Sequence, residues 1–240
     1  MVYHFEEVTS TNDLAREAKY HHGDIVCAER QTAGRGQRGH TWISPEGENP
    51  TFTLVAEPHF LAAREQFLLL EAAALALCDT FARFEIETRI KWTNDIYHKD
   101  KKLVGILIEH FYTGDHLKRT LIGIGINVNQ AAFDPSLPNP VSMYQIAGRQ
   151  FDRKEVLSTF EECFAARFLQ LEQGEWTTLR EAYHRVMYRR GEVQLFRLPD
   201  GSEFRATIRG VASDGALQLE SRERGREEYR FNEVEFVVKK

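Results

Sequence analysis

The sequence predicts an α+β fold, in which a mixed, largely antiparallel sheet packs on helices and a small β unit follows. Three observations predict it. An Ala/Leu-rich segment at 60–84 has the apolar periodicity of a long buried helix. Segments at 103–111 and 117–128 alternate as strands and meet at Gly114, which indicates an antiparallel hairpin. From Gly191 onward, short alternating segments are separated by Asp-Gly turns, which is typical of a compact all-β unit.

The remaining elements follow from the same patterns along the chain. Further strands are predicted at 2–8, 25–29, 51–57, 87–92 and 96–98. Further helices are predicted at 14–20, 153–171 and 176–184, the first preceded by the capping-type cluster Ser10 to Asp13. A proline-containing loop is predicted at 129–142. We expect residues 1–188 to form one domain and residues 189–240 a second, small one.

The charge and composition of the chain limit which partners and which cellular location we expect. The net charge of −5 leaves no overall electrostatic attraction for nucleic acid, so we expect no nucleic-acid partner. Cationic residues are dense at 99–102 and around Arg35, a local pattern that suits a small anionic ligand better than a polymer. Three scattered cysteines indicate reduced thiols. With no signal peptide and no membrane span in the sequence, we predict a cytoplasmic protein without a membrane partner.

The stretch at 31–44 (QTAGRGQRGHTWIS) carries the first chemical signal. Gly34, Gly36 and Gly39 permit backbone angles that other residues avoid and allow a ligand to approach the amides. Arg35 and Arg38 add planar donor groups suited to carboxylate or phosphate. A solvated Gly/Arg hairpin is the alternative interpretation of this stretch alone.

The predicted hairpin carries the second signal. With its turn centred at residue 114, Gly105 lies opposite Gly123, and Leu103 lies opposite Gly125. Three glycines would then lie together on one face of the hairpin, beside Leu103 and Leu107, and form the floor of a site. Glycine in a strand often marks the close approach of a ligand, and close packing of a helix is the alternative.

Strand alternation alone does not bring Lys102 to this glycine face. A regular register places its side chain on the opposite face, so a bulge or the strand end would have to redirect it. The nine histidines show no ligand spacing, so no protein-built metal site is predicted.

Five motifs together resemble the biotin protein ligases, also called biotin–[acetyl-CoA-carboxylase] ligases. They are STN at 10–12, GRGQRGHTW with SPEGEN after it, KWTND at 91–95, KKLVGILIE at 101–109 and GIGINV at 123–128. They occur in the family's order, and the β-rich tail resembles the family's C-terminal domain. The resemblance implies a class II synthetase-like catalytic domain followed by a small SH3-like β-barrel.

The resemblance also implies a ligase that forms a C–N bond in two steps. Biotin and ATP, with Mg²⁺, would give biotinyl-5′-AMP, and the biotin would pass to a lysine of an acceptor. The implied acceptor is a biotin carboxyl carrier protein or domain of a biotin-dependent carboxylase, and the ligase would be a monomer or homodimer. We expect no operator binding, because no helix-turn-helix segment precedes the STN motif.

Matched to the family's motifs, the site residues have the following implied roles. The catalytic residues would be Lys102 and Arg35. Biotin would be bound by Ser10, Thr11, Asn12, Gln31, Gly34, Arg35, Gly105, Leu107, Gly123 and Gly125. ATP or the adenylate would be bound by Arg35, Arg38, Trp42, Asn94, Asp95, Lys102 and Asn127. Asp95 is also the candidate Mg²⁺ contact, and the loop at 131–141 would fold over the adenylate.

Two departures from the family and two alternatives stay open at this point. Gln37 stands where the family often has arginine, and Thr93 stands where it has proline. A lipoate–protein ligase or octanoyl transferase could share this fold, although no cysteine nucleophile occurs in the motifs. A non-catalytic biotin sensor is the second alternative; the presence of Lys102, Arg35 and Asn127 disfavours it.

Overall fold

Seven strands form the main sheet. A computed structural model describes residues 1–237, except for the side chain of Arg38. The strands are β1 (Val2–Val8), β2 (Ile25–Gln31), β3 (Thr51–Ala56), β4 (Arg89–Lys91), β5 (Asp95–His98), β6 (Lys101–Thr113) and β7 (His116–Ile126). Their order is β1-β2-β3-β7-β6-β5-β4, with β1 and β2 parallel and the other neighbours antiparallel. The predicted mixed, largely antiparallel sheet is confirmed.

The long helices pack on the sheet face that carries Ile122, Ile124 and Ile126, whereas the short helix α1 lies on the opposite face, against Gly123. The α-helices are α1 (Thr11–Leu14), α2 (Phe67–Arg83), α3 (Met143–Ala147), α4 (Arg153–Glu172) and α5 (Trp176–Arg185). The long helix α2 is buried on nearly all sides, as its Ala/Leu-rich sequence predicts. The short helix α3 was not predicted. Among the described residues, no helix is both long and apolar enough to cross a membrane.

The predicted helix at 14–20 is wrong. The helix α1 begins at Thr11 and ends at Leu14, and turns follow it. Ser10 occupies the N-cap position, but its side chain makes no capping hydrogen bond. The guanidinium of Arg119, on β7, donates to the carbonyls of residues 16, 17 and 20. These tertiary hydrogen bonds satisfy carbonyls in the turns that follow α1, and a local sequence pattern cannot reveal them.

The register of the β6–β7 hairpin differs from the predicted one by two residues. Gly105 lies opposite Gly125, and Leu107 lies opposite Gly123. A two-residue turn and a bulge next to it cause the shift. Because side chains alternate with a period of two, an even shift leaves each residue on its predicted face. The three glycines therefore still share one face.

A second bulge, on β6, brings Lys102 to the glycine face. Ile96 pairs with Val104, and Tyr97 pairs with Lys102, so Leu103 is the extra residue. The Lys102 side chain consequently lies beside Gly105. Leu103 is fully buried in the hydrophobic core, so the prediction that it lies beside the glycines is wrong.

Five short strands form the C-terminal sheet. They are β8 (Val193–Arg197), β9 (Glu203–Val211), β10 (Leu217–Ser221), β11 (Gly225–Tyr229) and β12 (Glu235–Phe236). The order is β11-β10-β9-β8-β12, all antiparallel. Among the described residues β11 and β12 do not pair, so this SH3-like unit is an open sheet and not the closed barrel that was predicted. The division at 188/189 stays a prediction.

Candidate active site

The glycine face of the β6–β7 hairpin is the floor of a narrow slot. Its walls come from α1, the end of β2 and the loop that follows β2. Most residues predicted from the sequence line it, namely Ser10, Thr11, Asn12, Gln31, Arg35, Trp42, Asn94, Lys102, Gly105, Leu107, Gly123 and Gly125. The apolar side chains of Phe52, Ile106 and Ile124 also line the slot, together with Gly36 and the polar Gln37, which stands where the family often has arginine. One continuous slot thus joins motifs that lie far apart in the chain.

Polar side chains form one end of the slot. The Thr11 backbone N–H donates to Gln31 Oε1 at 2.8 Å. The Thr53 hydroxyl lies 2.8 Å from Thr11 Oγ1 and 2.6 Å from Asn12 Oδ1. Asn12 Nδ2 is buried and has no partner among the described residues, so it is a donor available to a ligand. Sequence reasoning missed Thr53, which looks like an ordinary alternating strand residue in TFTLVAE.

The indole ring of Trp42 lies directly on the slot floor. A Cβ atom built on Gly125 would lie 2.5 Å from Trp42 Cζ2, and one built on Gly105 would lie 2.9 Å from Trp42 Cζ3. Such contacts are too short to persist, so the ring can lie on the floor in this position only because both residues are glycine. The ring leaves about 50 Å³ in the slot, far below the roughly 300 Å³ of typical small-molecule sites. Trp42 Nε1 is buried and without a partner among the described residues.

Lys102 lies at the same end of the slot as Trp42. Its ammonium nitrogen is 2.7 Å from Asp95 Oδ1 and 5.9 Å from the centre of the Trp42 ring. Asp95 does not line the slot, but its carboxylate balances the charge of Lys102 there. The Trp92–Thr93 peptide, which precedes Asp95 in the KWTND motif, is cis.

Arg35 reaches the slot but is held by two carboxylates. Its Nη2 lies 2.8 Å from Asp13 Oδ1 and 3.2 Å from Glu109 Oε1. Arg16 pairs with the same Glu109 at 3.0 Å. An incoming phosphate or carboxylate would therefore compete with these acidic partners, which sequence reasoning did not identify. The predicted role of Arg38 falls on a side chain outside the described part of the structure.

Of the other predicted residues, Asn94 lines the slot and is also bonded to the sheet, whereas Asn127 and Gly34 lie outside the lining. Asn94 Nδ2 donates to the Ile106 carbonyl at 2.5 Å. Asn127 Nδ2 donates to the Val141 carbonyl at 3.1 Å, so it faces the loop and not the slot. Gly34 is buried beneath Trp42, where a side chain would strike the Trp42 carbonyl. Their predicted contacts with ligand stay predictions.

The loop at 131–141 is anchored next to Lys102. The Lys102 backbone N–H donates to the Asn139 carbonyl at 2.8 Å, and the Val141 N–H donates to the Lys102 carbonyl at 2.9 Å. The loop does not line the slot, so its role as a cover stays a prediction.

None of the three cysteines lines the slot, and all three are free thiols. Burial raises the pKa of Cys27 to about 11 and that of Cys78 to about 12. Both are therefore held as neutral thiols at physiological pH. The site offers no thiolate of the kind that an acyl transferase would use as a nucleophile.

The sequence matches the biotin/lipoate A/B protein ligase family over residues 3–127, more than half of the chain. The chain belongs to this family. The resemblance that the five motifs indicated is confirmed, and every residue that lines the slot lies within the matched region.

Relatives within the family match well beyond that region. The bifunctional ligase/repressor BirA of Bacillus subtilis is 31% identical over 231 residues, covering 93% of this chain and 70% of that protein. The biotin–[acetyl-CoA-carboxylase] ligase of Paracoccus denitrificans is 33% identical over 205 residues, covering 81% and 82%.

Solved structures of family members share the fold. The biotin protein ligase from Aquifex aeolicus in complex with biotin and ATP superposes with a TM-score of 0.84 at 25% identity, covering 99% of each chain. The predicted α+β fold class is thereby confirmed across both sheets.

Proposed function

We propose that this chain is a biotin protein ligase that acts in two steps. In the first, a carboxylate oxygen of biotin attacks the α-phosphorus of ATP and pyrophosphate leaves, giving biotinyl-5′-AMP. In the second, the amine of an acceptor lysine attacks the acyl carbon; AMP leaves and the amine loses a proton. One observation carries the proposal: a glycine-floored slot has polar groups at one end and Lys102 at the other.

The two ends of the slot suit the two parts of the substrate. Asn12 lies against Gly123, and its free Nδ2 can donate to the ureido oxygen of biotin. Lys102 lies against Gly105, where its ammonium can stabilise negative charge that develops on the α-phosphate. Arg35 would add a second cation once substrate displaces Asp13 or Glu109. Two cations offset the repulsion between the two anionic substrates.

Two further features of the site bear on the reaction. The Trp42 ring must leave the floor before a ligand can lie on it, because the remaining space is about 50 Å³. In the proposal the displaced ring packs against the bound nucleotide. The Asp95 carboxylate lies beside Lys102 at the end of the slot where the phosphates would bind, and Mg²⁺ in nucleotide sites is commonly held by one or two carboxylates together with substrate phosphates. The residues therefore fit Mg²⁺, which would neutralise phosphate charge, and Asp95 would hold it.

The proposed acceptor is a lysine of a biotin carboxyl carrier protein or domain. The names of the relatives support this choice, since they include a biotin–[acetyl-CoA-carboxylase] ligase. A cytoplasmic monomer or homodimer without a nucleic-acid partner completes the proposal; the net charge of −5 supports the absence of nucleic acid.

Exchange of labelled pyrophosphate into ATP tests the first step. We expect exchange with biotin and none with lipoate or octanoate. Exchange with lipoate alone would assign the chain to the other branch of its family, and absence of exchange with all three would reject the ligase function.

A substitution at Lys102 tests its role in the same assay. We expect Lys102→Ala to lower the exchange rate about 10²- to 10³-fold, the usual effect of removing one group that stabilises transition-state charge. Lys101→Ala is the matched control, because Lys101 is exposed and is the neighbouring residue in the chain. Equal rates for the two variants would reject the catalytic role of Lys102.

A further inference from the structure

A second concave surface lies where the edge of the main sheet meets the C-terminal sheet. It is a groove of about 1060 Å³, bordered by β4, the β5–β6 turn, the segment after α5, and strands β9 and β11. We term it the junction groove. It shares no lining residue with the slot.

The junction groove is strongly cationic although the protein is acidic. Seven arginine or lysine side chains line it together with three carboxylates, which gives a formal charge of +4. The whole chain carries −5. Charge has thus been concentrated locally, and the surface attracts an anionic partner over distances of about a Debye length.

Several of these cations are available to a partner. Arg89 pairs with Glu87 at 2.8 Å. By contrast, Lys99, Arg185 and Arg226 are exposed and have no carboxylate within ion-pair distance among the described residues. Because these three side chains are not neutralised by the protein itself, they can pair with carboxylates on another molecule.

The groove is connected to the slot through the β5–β6 turn. Asp100 accepts from Arg189 at 2.7 Å and from the Tyr188 hydroxyl at 2.5 Å on the groove side. The Asp100 carbonyl accepts from Asn139 Nδ2 at 2.7 Å, and the Asn139 carbonyl accepts from the Lys102 N–H at 2.8 Å. A partner seated in the junction groove is therefore adjacent to the segment that carries Lys102.

We propose that the junction groove docks an acidic face of the acceptor protein during the second step. This inference rests on the proposed ligase function, which requires an acceptor protein to bring its lysine amine to the adenylate beside Lys102. The position of the groove at the Lys102 turn supports the acceptor as its occupant. Its charge specifies the chemistry of the docking face, namely exposed Asp and Glu side chains.

Charge reversal inside and outside the groove tests the proposal. The test variant is Arg185→Glu with Arg226→Glu. The matched control is Arg205→Glu with Arg222→Glu, which are exposed in the C-terminal unit but outside the groove. Both variants change the net charge from −5 to −9, so only the position of the charges differs.

The two half-reactions are measured separately. We expect pyrophosphate exchange to be unchanged in both variants, because neither touches the slot. With a biotin carboxyl carrier domain as acceptor, we expect kcat/KM for transfer to fall about ten-fold in the groove variant, with a weaker salt dependence. The control should stay within about two-fold of the unmodified protein.

Three outcomes separate the possibilities. Equal transfer by the groove variant and the control would overturn the docking proposal while leaving the ligase function intact. Absence of exchange and transfer in the unmodified protein would reject the ligase function. In that case calorimetry decides the docking proposal separately. No binding of the carrier domain, or binding that the groove variant does not weaken, would overturn that proposal as well. Groove-dependent binding of a short DNA duplex, without binding of the carrier domain, would assign the groove to nucleic acid and refute the proposal.

Discussion

Adding one methyl group to the slot floor, by Gly125→Ala, tests the arrangement of floor, ring and ligand. The new Cβ would lie 2.5 Å from Trp42 Cζ2 and would also press on the neighbouring ring atoms. Carbon atoms in contact normally lie about 3.5–4.0 Å apart, so the ring has to retreat by about 1 Å. The methyl group also raises the surface on which a ligand would lie.

The expected effects on stability and on activity differ in size. Trp42 is only half-buried, and its loop is held by few backbone bonds, such as Trp42 N–H to the Gly34 carbonyl at 3.0 Å. The ring can therefore move, and we expect the free energy of unfolding to fall by about 1 kcal/mol, the low end for overpacking. A ligand displaced by about 1 Å should react about 10²-fold more slowly.

Biotin-dependent pyrophosphate exchange, urea denaturation and tryptophan fluorescence measure these effects. Gly123→Ala is the matched control, since a Cβ there meets Asn12 and not Trp42. We expect the exchange rate to fall in both variants, but the fluorescence of Trp42 to change only in Gly125→Ala. The contribution of Trp42 to the emission is identified by comparison with Trp42→Phe. Unchanged exchange in Gly125→Ala, or a large loss of stability with normal exchange, would refute the reasoning.

The remaining predictions concern stability. Burial of Glu71 on α2 raises its pKa to about 8, although Arg180 opposes the shift. Between about pH 5 and 8 the unfolded chain loses this proton while the folded protein keeps it, so the free energy of unfolding falls by up to about 1.4 kcal/mol per pH unit. Glu71→Gln should flatten this dependence in urea titrations; an equally steep dependence would contradict it. Gly215→Ala should lower Tm more than Gly201→Ala, because both have positive φ but only a Gly215 Cβ meets Phe67, at 2.8 Å from Cγ. Equal losses would show that the Phe67 contact does not matter.

Local patterns predicted the regular elements well because they act over a few residues. The alternation in the hairpin predicted β6, β7 and their shared glycine face, and the Asp-Gly turns predicted the strands after Gly191. The prediction of a helix at 14–20 failed, because the segment forms turns whose carbonyls accept hydrogen bonds from Arg119 on a distant strand. The predicted register of the β6–β7 hairpin was wrong by two residues for a similar reason, because the bulge near its turn has no sequence signature.

The sequence by itself determined the fold class, the family resemblance and most residues of the slot, because motifs and periodicity are local properties. Only the tertiary structure decided which atoms meet. The bulge at Leu103 turns Lys102 toward the glycine floor, and packing places Trp42 on Gly105 and Gly125. Asp95 balances the charge of Lys102. These outcomes depend on the energies of contacts between distant segments, and such energies cannot be inferred from any one stretch of the sequence.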